Sequence, residues 1–361
     1  LDNRVSLGGD SCAVIQTIFD LEPGQSVSLL FLEGECANRN EADALIQRYS
    51  DSVHTDAALD AVQEFWRKTL TKIVITTPDR SLDSMVNGWL MYQNLSSRMW
   101  ARTAFYQAGG AFGFRDQLQD STAALYVDPK LCRNQILIHA EKQFKEGDVL
   151  HWWHMPTGRG IRSKITDDRL WLPYVVEFYC QSTGDESILT EYAPYISSRK
   201  LEAFEHEAYL HPHSLDEMGT IYEHCCKAID ISLKFGVHGL PLIGGGDWND
   251  GMNRVGENGK GESVWLGFFI YHVLTHFEKI CRKMNDPTRA EHYLAVAKKL
   301  NEVLNTEGWD GKWYLRAFYD DGTPLVVISQ NSFDQQSQPT VVLPPPRQVV
   351  VPQGSSATKW I

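Results

Sequence analysis

Residues 244–253 read Gly-Gly-Gly-Asp-Trp-Asn-Asp-Gly-Met-Asn, and they separate two apolar segments with helical periodicity, 219–235 and 262–284. Three consecutive glycines favour a loop over the interior of a helix or strand. The loop carries two carboxyls on either side of an indole, so it holds both polar and aromatic groups. A long loop of this kind between helices predicts a helical scaffold whose loops carry the function.

The same alternation of helical segment and loop continues through most of the chain after Pro78. Helical periodicity is found at 79–100, 116–127, 129–145, 167–183, 186–198, 219–235, 262–284 and 288–305. These segments are similar in length, strongly apolar and joined by loops rich in glycine and aromatic residues. The pattern predicts an α/α barrel, and the family resemblance described below implies that it spans 79–325 and is incomplete at its C-terminal end. An open helical solenoid is the alternative, but no fixed sequence period is found.

The two ends of the chain have different patterns. Residues 11–35 are typical of strands around a Pro-Gly turn, which predicts that 1–39 is the end of an N-terminal β-domain. Residues 40–78 change to helical periodicity, with an amphipathic helix at 56–72, and predict a helical linker. The tail at 326–361 is rich in Pro, Gln, Ser and Val and predicts extended or poorly ordered chain.

Charge and composition narrow the classes of function. The net charge of −12 leaves no basic surplus to neutralise phosphates, which argues against a nucleic-acid-binding protein. The eleven tryptophans fit carbohydrate handling, although a large helical core also uses aromatic residues. The histidines show no spacing typical of a zinc site, so no metal is expected. Seven scattered cysteines without a C-x-x-C pair indicate reduced, mostly buried thiols and a cytoplasmic protein.

Hydropathy and the start of the sequence bear on membrane contact and on whether the chain is part of a larger protein. No apolar run reaches membrane-spanning length and no secretory signal is found, so we expect no membrane contact in this segment. Residue 1 is Leu and the sequence begins in mid-pattern, so we expect it to be part of a larger polypeptide. Any inner-membrane anchor of that parent protein is expected outside these residues.

Two further segments share the glycine loop's mixture of Gly, aromatic, Arg and Asp side chains, namely 101–120 and 151–168. Arginine offers a planar donor fork suited to phosphate, carboxylate or paired hydroxyls, and aspartate accepts hydrogen bonds from sugar hydroxyls. Each Arg–Asp pair is equally consistent with a salt bridge between loops. Asp167-Asp168 is first of all an expected helix N-cap. His151 and His154 are expected to line the site or to pack, and one of Trp152 and Trp153 is expected in the core.

Four long motifs resemble glycoside hydrolase family 94, the inverting family of cellobiose, cellodextrin and chitobiose phosphorylases. In chain order they are Tyr106–Asp120, His151–Arg162, Asp168–Tyr174 and Gly246–Asn253. Four shorter segments resemble the phosphorylase-like region of cyclic β-1,2-glucan synthases within that family, namely His206–Tyr209, Tyr222–Cys225, His238–Leu242 and Gly261–Gly267. The resemblance covers about residues 1–325. It implies the end of a β-sandwich, a helical linker and most of an (α/α)6 barrel.

The resemblance also implies roles for individual residues. The expected general acid, which protonates the glycosidic oxygen, is Asp250, and the expected phosphate ligand is Arg102. The expected substrate-binding residues, of which the first three hold the sugar on the non-reducing side of the scissile bond, are Trp248, Arg115, Asp116, Asp120, Arg162 and Asp168.

A single catalytic carboxyl fits phosphorolysis. An inverting hydrolase needs an acid and a base, because its water nucleophile must be activated. Phosphate is already an anion, so one acid and a cationic site are enough. Attack opposite the leaving group then gives α-glucose 1-phosphate from a β-linked glucan, with β-1,2 linkage implied by the resemblance. Inorganic phosphate is thus a co-substrate, no cofactor is expected, and we expect burial or a neighbouring charge to keep the acid protonated.

Two alternatives to a phosphorylase remain open. One is an inverting hydrolase on the same scaffold, with Asp247 or Glu262 as the base. The other is a catalytically silent carbohydrate-binding protein that uses Trp152, Trp153 and Trp248. A phosphate requirement for cleavage separates the phosphorylase from the hydrolase.

The chain also departs from the family pattern. An arginine of the family's glycine-rich loop is absent, because this chain has Gly109-Gly110-Ala111 there. The family's further phosphate ligands, a His and a Thr, lie downstream of the segments described above, and the resemblance ends after Leu325. Such an ending is typical of a frameshift or a truncated gene. We therefore expect these 361 residues alone to associate and to show no phosphorolysis.

Overall fold

The computed structural model describes residues 14–34, 36–100 and 110–325. The described residues divide between Thr69 and Leu70 into two compact units. Arg102 and the tail at 326–361 lie outside the described residues, so what the sequence predicts for them stays a prediction.

The first unit consists of coil followed by two helices, α1 at Arg39–Arg48 and α2 at Ser52–Leu70. Asn38 caps α1, because its side chain accepts a hydrogen bond from the Glu41 backbone N–H at 3.0 Å. Residues 14–34 form no strand, in contrast to the strands predicted there. A strand needs a neighbour to satisfy its peptide groups, and the described residues include none for this segment.

The second unit is mainly helical and opens with a continuous helical run at residues 80–100. Asp79 caps the run and accepts hydrogen bonds from the backbone N–H groups of Ser81 and Leu82. Within the run, wider π-helical turns alternate with short α-helices. The pieces are α3 at Arg80–Ser84, π turns at Met85–Trp89, α4 at Leu90–Gln93 and π turns at Asn94–Trp100.

Six longer helices follow and bury most of the core. They are α5 at Phe114–Ala124, α6 at Pro129–Ala140, α7 at Trp171–Thr183, α8 at Ile221–Ser232, α9 at Val264–Lys283 and α10 at Pro287–Leu304. Helix α5 packs against α6 and α7, α7 also contacts α8 and α9, and α9 packs along α10. Buried apolar side chains such as Leu118, Leu172 and Phe277 meet between them. Each such side chain contributes roughly 1.5–3 kcal/mol by leaving water. The predicted mainly helical fold is confirmed, and the six-fold barrel stays a prediction.

The described residues of this unit also include three small antiparallel sheets and three 3-10 turns. The largest sheet has the order β1-β2-β3-β5, formed by Ala111–Gly113, Leu150–His154, Gly160–Ser163 and Glu207–Leu210. Strand β4 at Tyr192–Ser197 pairs with β6 at His213–Thr220, and the third sheet joins β7 at Glu262–Ser263, β8 at Ala317–Phe318 and β9 at Pro324–Leu325. The 3-10 turns are Asp168–Leu170, Ser187–Thr190 and Asp250–Met252.

The helix predicted at 186–198 is wrong. Only the 3-10 turn at Ser187–Thr190 and strand β4 occupy this range. Pro194 lacks the backbone N–H that a helix interior needs, whereas Tyr195 and Ile196 favour a strand. The buried side of β4, which includes Tyr195 at 2% exposure, carries the apolar pattern that suggested a helix.

The cysteines of the described residues are unpaired, and all of them except Cys36 are buried, as predicted. Among the described helices, none combines the length and apolar character that crossing a membrane requires.

Candidate active site

Arg115 connects the three segments that the sequence singled out. It lies in the first turn of α5, directly after β1, and its side chain is 5% exposed. Its Nη1 donates to Asp167 Oδ1 at 2.8 Å and to the backbone oxygen of Asp247 at 3.0 Å. Its Nη2 donates to the carboxylate of Asp250. Burial alone lowers the pKa of Arg115, but the surrounding carboxylates outweigh it and hold that pKa above its ordinary value.

The glycine loop is held against the segment that follows β3. Ile165 pairs with both Gly244 and Gly246, and the Thr166 hydroxyl donates to the Ile243 backbone oxygen at 3.0 Å. Gly244 has φ +62°, and a Cβ there would lie 2.2 Å from the backbone oxygen of Lys164. Only glycine fits this approach, and the approach places the Asp247 carbonyl beside Arg115.

Asp167 and Asp168 do not cap the following helix, which corrects the capping role expected for them. The 3-10 turn that begins at Asp168 has no side-chain cap. Instead, fully buried Asp167 accepts hydrogen bonds from Arg115 and, at 3.0 Å, from Trp171 Nε1. Burial raises the pKa of Asp167 above its ordinary value, and the Arg115 guanidinium opposes that rise.

His151 joins this cluster through Asp168. The His151 Nδ1 atom lies 2.8 Å from Asp168 Oδ2, and the other oxygen, Asp168 Oδ1, is 3.8 Å from Arg115 Nε and has no hydrogen-bond partner. The strand register shifts between Leu150 and Trp152, and such a bulge re-aims a side chain. Burial alone lowers the pKa of His151, but the Asp168 carboxylate outweighs it and raises that pKa to about 9. Nothing in the sequence distinguishes His151 from His154.

The second carboxyl of the glycine loop, Asp250, reaches solvent. Its side chain is 64% exposed at the start of the 3-10 turn, and the neighbouring Trp248 is 51% exposed. The Trp248 indole N–H donates to Gln119 Oε1 at 3.2 Å, which fixes the ring on α5. The burial expected for the general acid is therefore not observed. The charged group beside it is the Arg115 guanidinium, which donates to the Asp250 carboxylate.

The first carboxyl of the loop, Asp247, is fully buried. Arg316 donates to both of its oxygens, at 2.8 Å from Nη1 and 2.6 Å from Nη2, and the Ser263 hydroxyl donates to Oδ2 at 2.6 Å. The backbone N–H of Asn249 donates to Oδ1 at 3.0 Å. Asp247 thus holds the loop in place and has no free oxygen for a water nucleophile. Arg316 was not predicted from the sequence.

The other carboxylate considered as a hydrolytic base, Glu262, is also engaged. It is 1% exposed, its Oε2 lies 2.5 Å from His238 Nδ1, and its Oε1 accepts from the Leu240 backbone N–H at 3.0 Å. These contacts tie β7 to the turn before the glycine loop. Neither proposed base is therefore available to activate water.

The remaining expected substrate ligands have different surroundings. Asp116 is half-buried in the first turn of α5, with its carboxylate packed over Gly113. Asp120 Oδ2 accepts from Arg98 Nε at 2.8 Å, an ion pair that joins the helical run to α5. Arg162 is 3% exposed and donates to both oxygens of Asp148, at 2.6 and 2.7 Å.

Arg162 makes further contacts within its own part of the fold. It donates to Glu146 at 3.2 Å, and its guanidinium lies 3.8 Å from the centre of the Phe144 ring. It also donates to the Arg199 backbone oxygen at 3.1 Å, so its partners come from the 144–148 turn and Arg199 and not from the Arg115 cluster. The structure therefore does not bring Arg162 together with the other expected ligands.

Trp152 and Trp153 point to opposite faces of the sheet. Trp153 is fully buried and stacks on Phe112 with ring centroids 5.8 Å apart. Trp152 is half-buried on the other face. The expectation that one of the two packs in the core is met by Trp153. Within the described ranges, no group of three or more His, Cys, Asp or Glu side chains is arranged to hold a metal ion.

Comparison with known families gives two matches. The catalytic domain of the glycosyl hydrolase 94 superfamily matches residues 65–344, and the glycosyl hydrolase 94 supersandwich domain matches residues 1–52. The matched catalytic segment contains Arg115, Asp167 and Asp250, the residues that meet in the cluster.

Individual relatives are similar over most of this chain. The cyclic β-(1,2)-glucan synthase NdvB of Rhizobium meliloti is 45% identical over 90% of this chain, which spans 12% of that protein. Solabiose phosphorylase of Paenibacillus borealis is 31% identical over 89% of the chain and 38% of its own length. N,N'-diacetylchitobiose phosphorylase of Vibrio furnissii is 27% identical over 88% of the chain and 41% of its own length. The chain thus spans less than half the length of each of these relatives.

Proposed function

The chain belongs to glycosyl hydrolase family 94, and from this membership we propose that it is the phosphorylase-type part of a glucan-acting enzyme. It cleaves a β-linked glucan with inorganic phosphate, inverts the anomeric carbon and releases α-glucose 1-phosphate. We assign a β-1,2 linkage because of the 45% identity to a protein named as a cyclic β-(1,2)-glucan synthase. We further propose that α5–α10 belong to an (α/α)6 barrel and that this part of the protein is cytoplasmic.

The observation that carries the proposal is the contrast within the glycine loop. Asp250 and Trp248 are exposed side by side, while Arg115 fixes the carboxylate from the buried side. An exposed carboxyl beside an open indole face suits protonation of a glycosidic oxygen in a sugar that stacks on the ring. The buried network beneath holds the acid in one position, as general acid catalysis requires.

Phosphorolysis fits the site better than hydrolysis. The two carboxylates that could act as a base, Asp247 and Glu262, are 0% and 1% exposed and hydrogen-bonded to protein groups. A phosphate nucleophile needs no base, so one accessible acid is sufficient. A sugar stacked on Trp248 would cover Asp250 and bring the glycosidic oxygen to its carboxyl. We assign phosphate binding to Arg102, in keeping with the resemblance.

A phosphate-dependence assay tests the proposal. The chain, alone and within its complete natural protein, is incubated with linear β-1,2-glucan with and without inorganic phosphate, and glucose 1-phosphate is measured by ³¹P NMR. We expect α-glucose 1-phosphate only when phosphate is present, and only from a protein that retains Asp250. Release of free glucose without phosphate would show a hydrolase. Binding without any cleavage by the complete protein would show a silent carbohydrate-binding protein.

The complete protein and the chain alone are expected to differ in this assay. The family's further phosphate ligands are expected downstream of the barrel segments described here, so we propose no phosphorolysis from the 361 residues by themselves. Glucose 1-phosphate from the chain alone would show that Arg102 and its neighbours hold phosphate unaided. In the complete protein, the substitution Arg102→Ala should raise the KM for phosphate more than the KM for glucan.

A further inference from the structure

Three aromatic side chains lie together on one face of the four-stranded sheet. The Trp152 ring on β2 is centred 5.1 Å from the His154 ring and 5.8 Å from the Tyr209 ring on β5. The Tyr209 hydroxyl is 3.4 Å from His154 Nδ1. Tyr209 is 52% exposed, and the other two rings are half-buried. We call these three residues the aromatic platform.

The strand register places the aromatic platform beside Asp116. Gly113 is directly opposite Trp152 across the β1–β2 pair, and directly opposed residues of an antiparallel pair point to the same face. A Cβ on Gly113 would lie 1.9 Å from Asp116 Oδ2, so the Asp116 carboxylate lies over the same face. The platform therefore adjoins the expected sugar ligand Asp116, which follows in sequence the residue that binds Asp250, Arg115.

The chemistry of the aromatic platform matches a neutral sugar chain. Ile161 between Trp152 and Tyr209 is 8% exposed, so the face is apolar at its base. The rings offer flat apolar surface, while the indole, imidazole and phenol groups offer hydrogen bonds at their edges. A pyranose ring has the complementary pattern, with C–H groups on its faces and hydroxyls at its rim. The platform itself has no charged residue that would select an anion.

We propose that Trp152, His154 and Tyr209 form a second sugar subsite, which holds further glucose units of a β-glucan whose terminal unit lies at Asp116 and Asp250. The inference rests on the proposed function, because it needs a glucan at that site. It adds a preference for chain length. A disaccharide places a single glucose unit beyond the terminal one, whereas a longer oligosaccharide places several units on the platform.

Isothermal titration calorimetry without phosphate tests the subsite directly. The 361-residue chain is titrated with the disaccharide and the pentasaccharide of β-1,2-linked glucose. The variants are Trp152→Ala and Tyr209→Ala. Tyr209 is the more exposed of the two, so Tyr209→Ala still tests the subsite if Trp152→Ala does not fold. The matched control is Trp89→Ala, since Trp89 is 52% exposed and stacks on Tyr92 at 5.9 Å in a different element. Melting curves report folding in every variant.

We expect each platform variant to weaken pentasaccharide binding by about threefold to tenfold, as loss of one aromatic contact does. Disaccharide binding should weaken less, because only one of its units reaches the platform, and Trp89→Ala should change neither affinity. Equal losses for both chain lengths, an unchanged pentasaccharide affinity, or no pentasaccharide binding to the unmodified chain would each overturn the subsite. The titrations contain no phosphate, so they test the subsite separately from phosphorolysis. Chain-length-dependent binding together with no glucose 1-phosphate from the complete protein would support the subsite and refute only the proposed phosphorolysis.

Discussion

Asp247 and Asp250 lie three residues apart in one loop and have opposite environments. Asp250 is 64% exposed, while Asp247 is fully buried between Arg316 and Ser263. Arg115 contacts both residues, Asp250 through its carboxylate and Asp247 through its backbone oxygen. The Asp250 carboxylate is thus accessible to a substrate, while the Asp247 carboxylate fixes the loop.

Replacing Asp250 by Asn should remove phosphorolysis in the complete protein and leave the fold unchanged. The amide keeps the shape of the carboxyl but cannot donate the acid proton, and general acid catalysis contributes roughly a hundredfold to ten-thousandfold to the rate. The measurement is the rate of glucose 1-phosphate formation, with melting curves as the check on folding. Asp216→Asn, on the exposed side of β6, is the control. Near-normal turnover of Asp250→Asn would disprove the assignment.

Replacing Asp247 by Ala should destabilise the second unit. Arg316 is 7% exposed, and without Asp247 its guanidinium is buried with no carboxylate partner. Removal of one partner of a buried ion pair costs about 3–5 kcal/mol. Urea unfolding measures the loss, and the double variant Asp247→Ala/Arg316→Met should recover part of it. A loss below about 1 kcal/mol would mean that water replaces the carboxylate.

The ionisation of His151 should make stability depend on pH. Its folded pKa of about 9 is above the ordinary value of 6.5, so its contribution is complete below pH 6.5 and is lost as the pH rises through 9. The side chain is 16% exposed, and the shift corresponds to at most about 3 kcal/mol. Burial in the folded state also raises the pKa of Asp167. Its contribution to stability therefore also falls as the pH rises, but at lower pH than that of His151.

Unfolding free energies measured from pH 6 to pH 10 test this dependence. The unmodified chain should lose stability between pH 6.5 and 9 more steeply than His151→Gln. His213→Gln, an exposed histidine on β6, is the control and should follow the unmodified chain. Parallel curves for the unmodified chain and His151→Gln would show that folding leaves the pKa of His151 unchanged.

At the scale of elements, the glycine loop depends on its contact with the segment at 163–168. Gly244→Ala should weaken this contact, because its φ of +62° disfavours a side chain and its Cβ would lie 2.2 Å from the Lys164 oxygen. Gly259→Ala is the matched control, with φ +76° and no atom within 4 Å of its Cβ. Both variants lose about 1–2 kcal/mol to backbone strain. Gly244→Ala should lose about 1–3 kcal/mol more of the free energy of unfolding, because its Cβ overpacks the contact. Urea unfolding measures both losses, and equal losses in the two variants would show that the contact adapts to the added methyl group.

The elements that the sequence predicts well are the long periodic ones. Helices α9 and α10 begin and end within two residues of the predicted 262–284 and 288–305. Their apolar faces repeat over five turns, so local pattern is enough. The short strands were missed, because pairs such as Gly113 with Trp152 depend on partners far along the chain. Strand β4 was mistaken for a helix on apolar content alone.

The site was predictable only where motifs reveal it. Family-like motifs pointed to Arg115 and Asp250, which the fold brings into contact across 135 positions. Nothing local marks Arg316, whose partner Asp247 is 69 positions away. Likewise, no spacing distinguishes His151, which meets Asp168 only because a bulge turns its side chain. Partners of this kind are set by tertiary packing and leave no signal in sequence periodicity.

At the scale of the whole molecule, burial is confined to the second unit. No side chain of residues 14–34 or 36–69 is buried, and the buried apolar residues begin at Leu95. They form one main cluster that includes Phe114, Leu172 and Phe277. Stability of the described residues therefore resides in the helices from α5 onward and in the segments packed against them.

A chain that begins at Lys72 should consequently keep the main unfolding transition. The deletion removes no buried side chain from the described residues, so the melting temperature should stay within about 3 °C of that of the full chain. Phe277→Ala is the positive control, because it empties a fully buried site and costs about 3–5 kcal/mol, or roughly 10 °C in a unit of this size. Calorimetry measures the melting temperatures of the full chain, the deletion and Phe277→Ala. A deletion that lowers the transition as far as Phe277→Ala does would mean that the helical core needs the N-terminal residues for its stability.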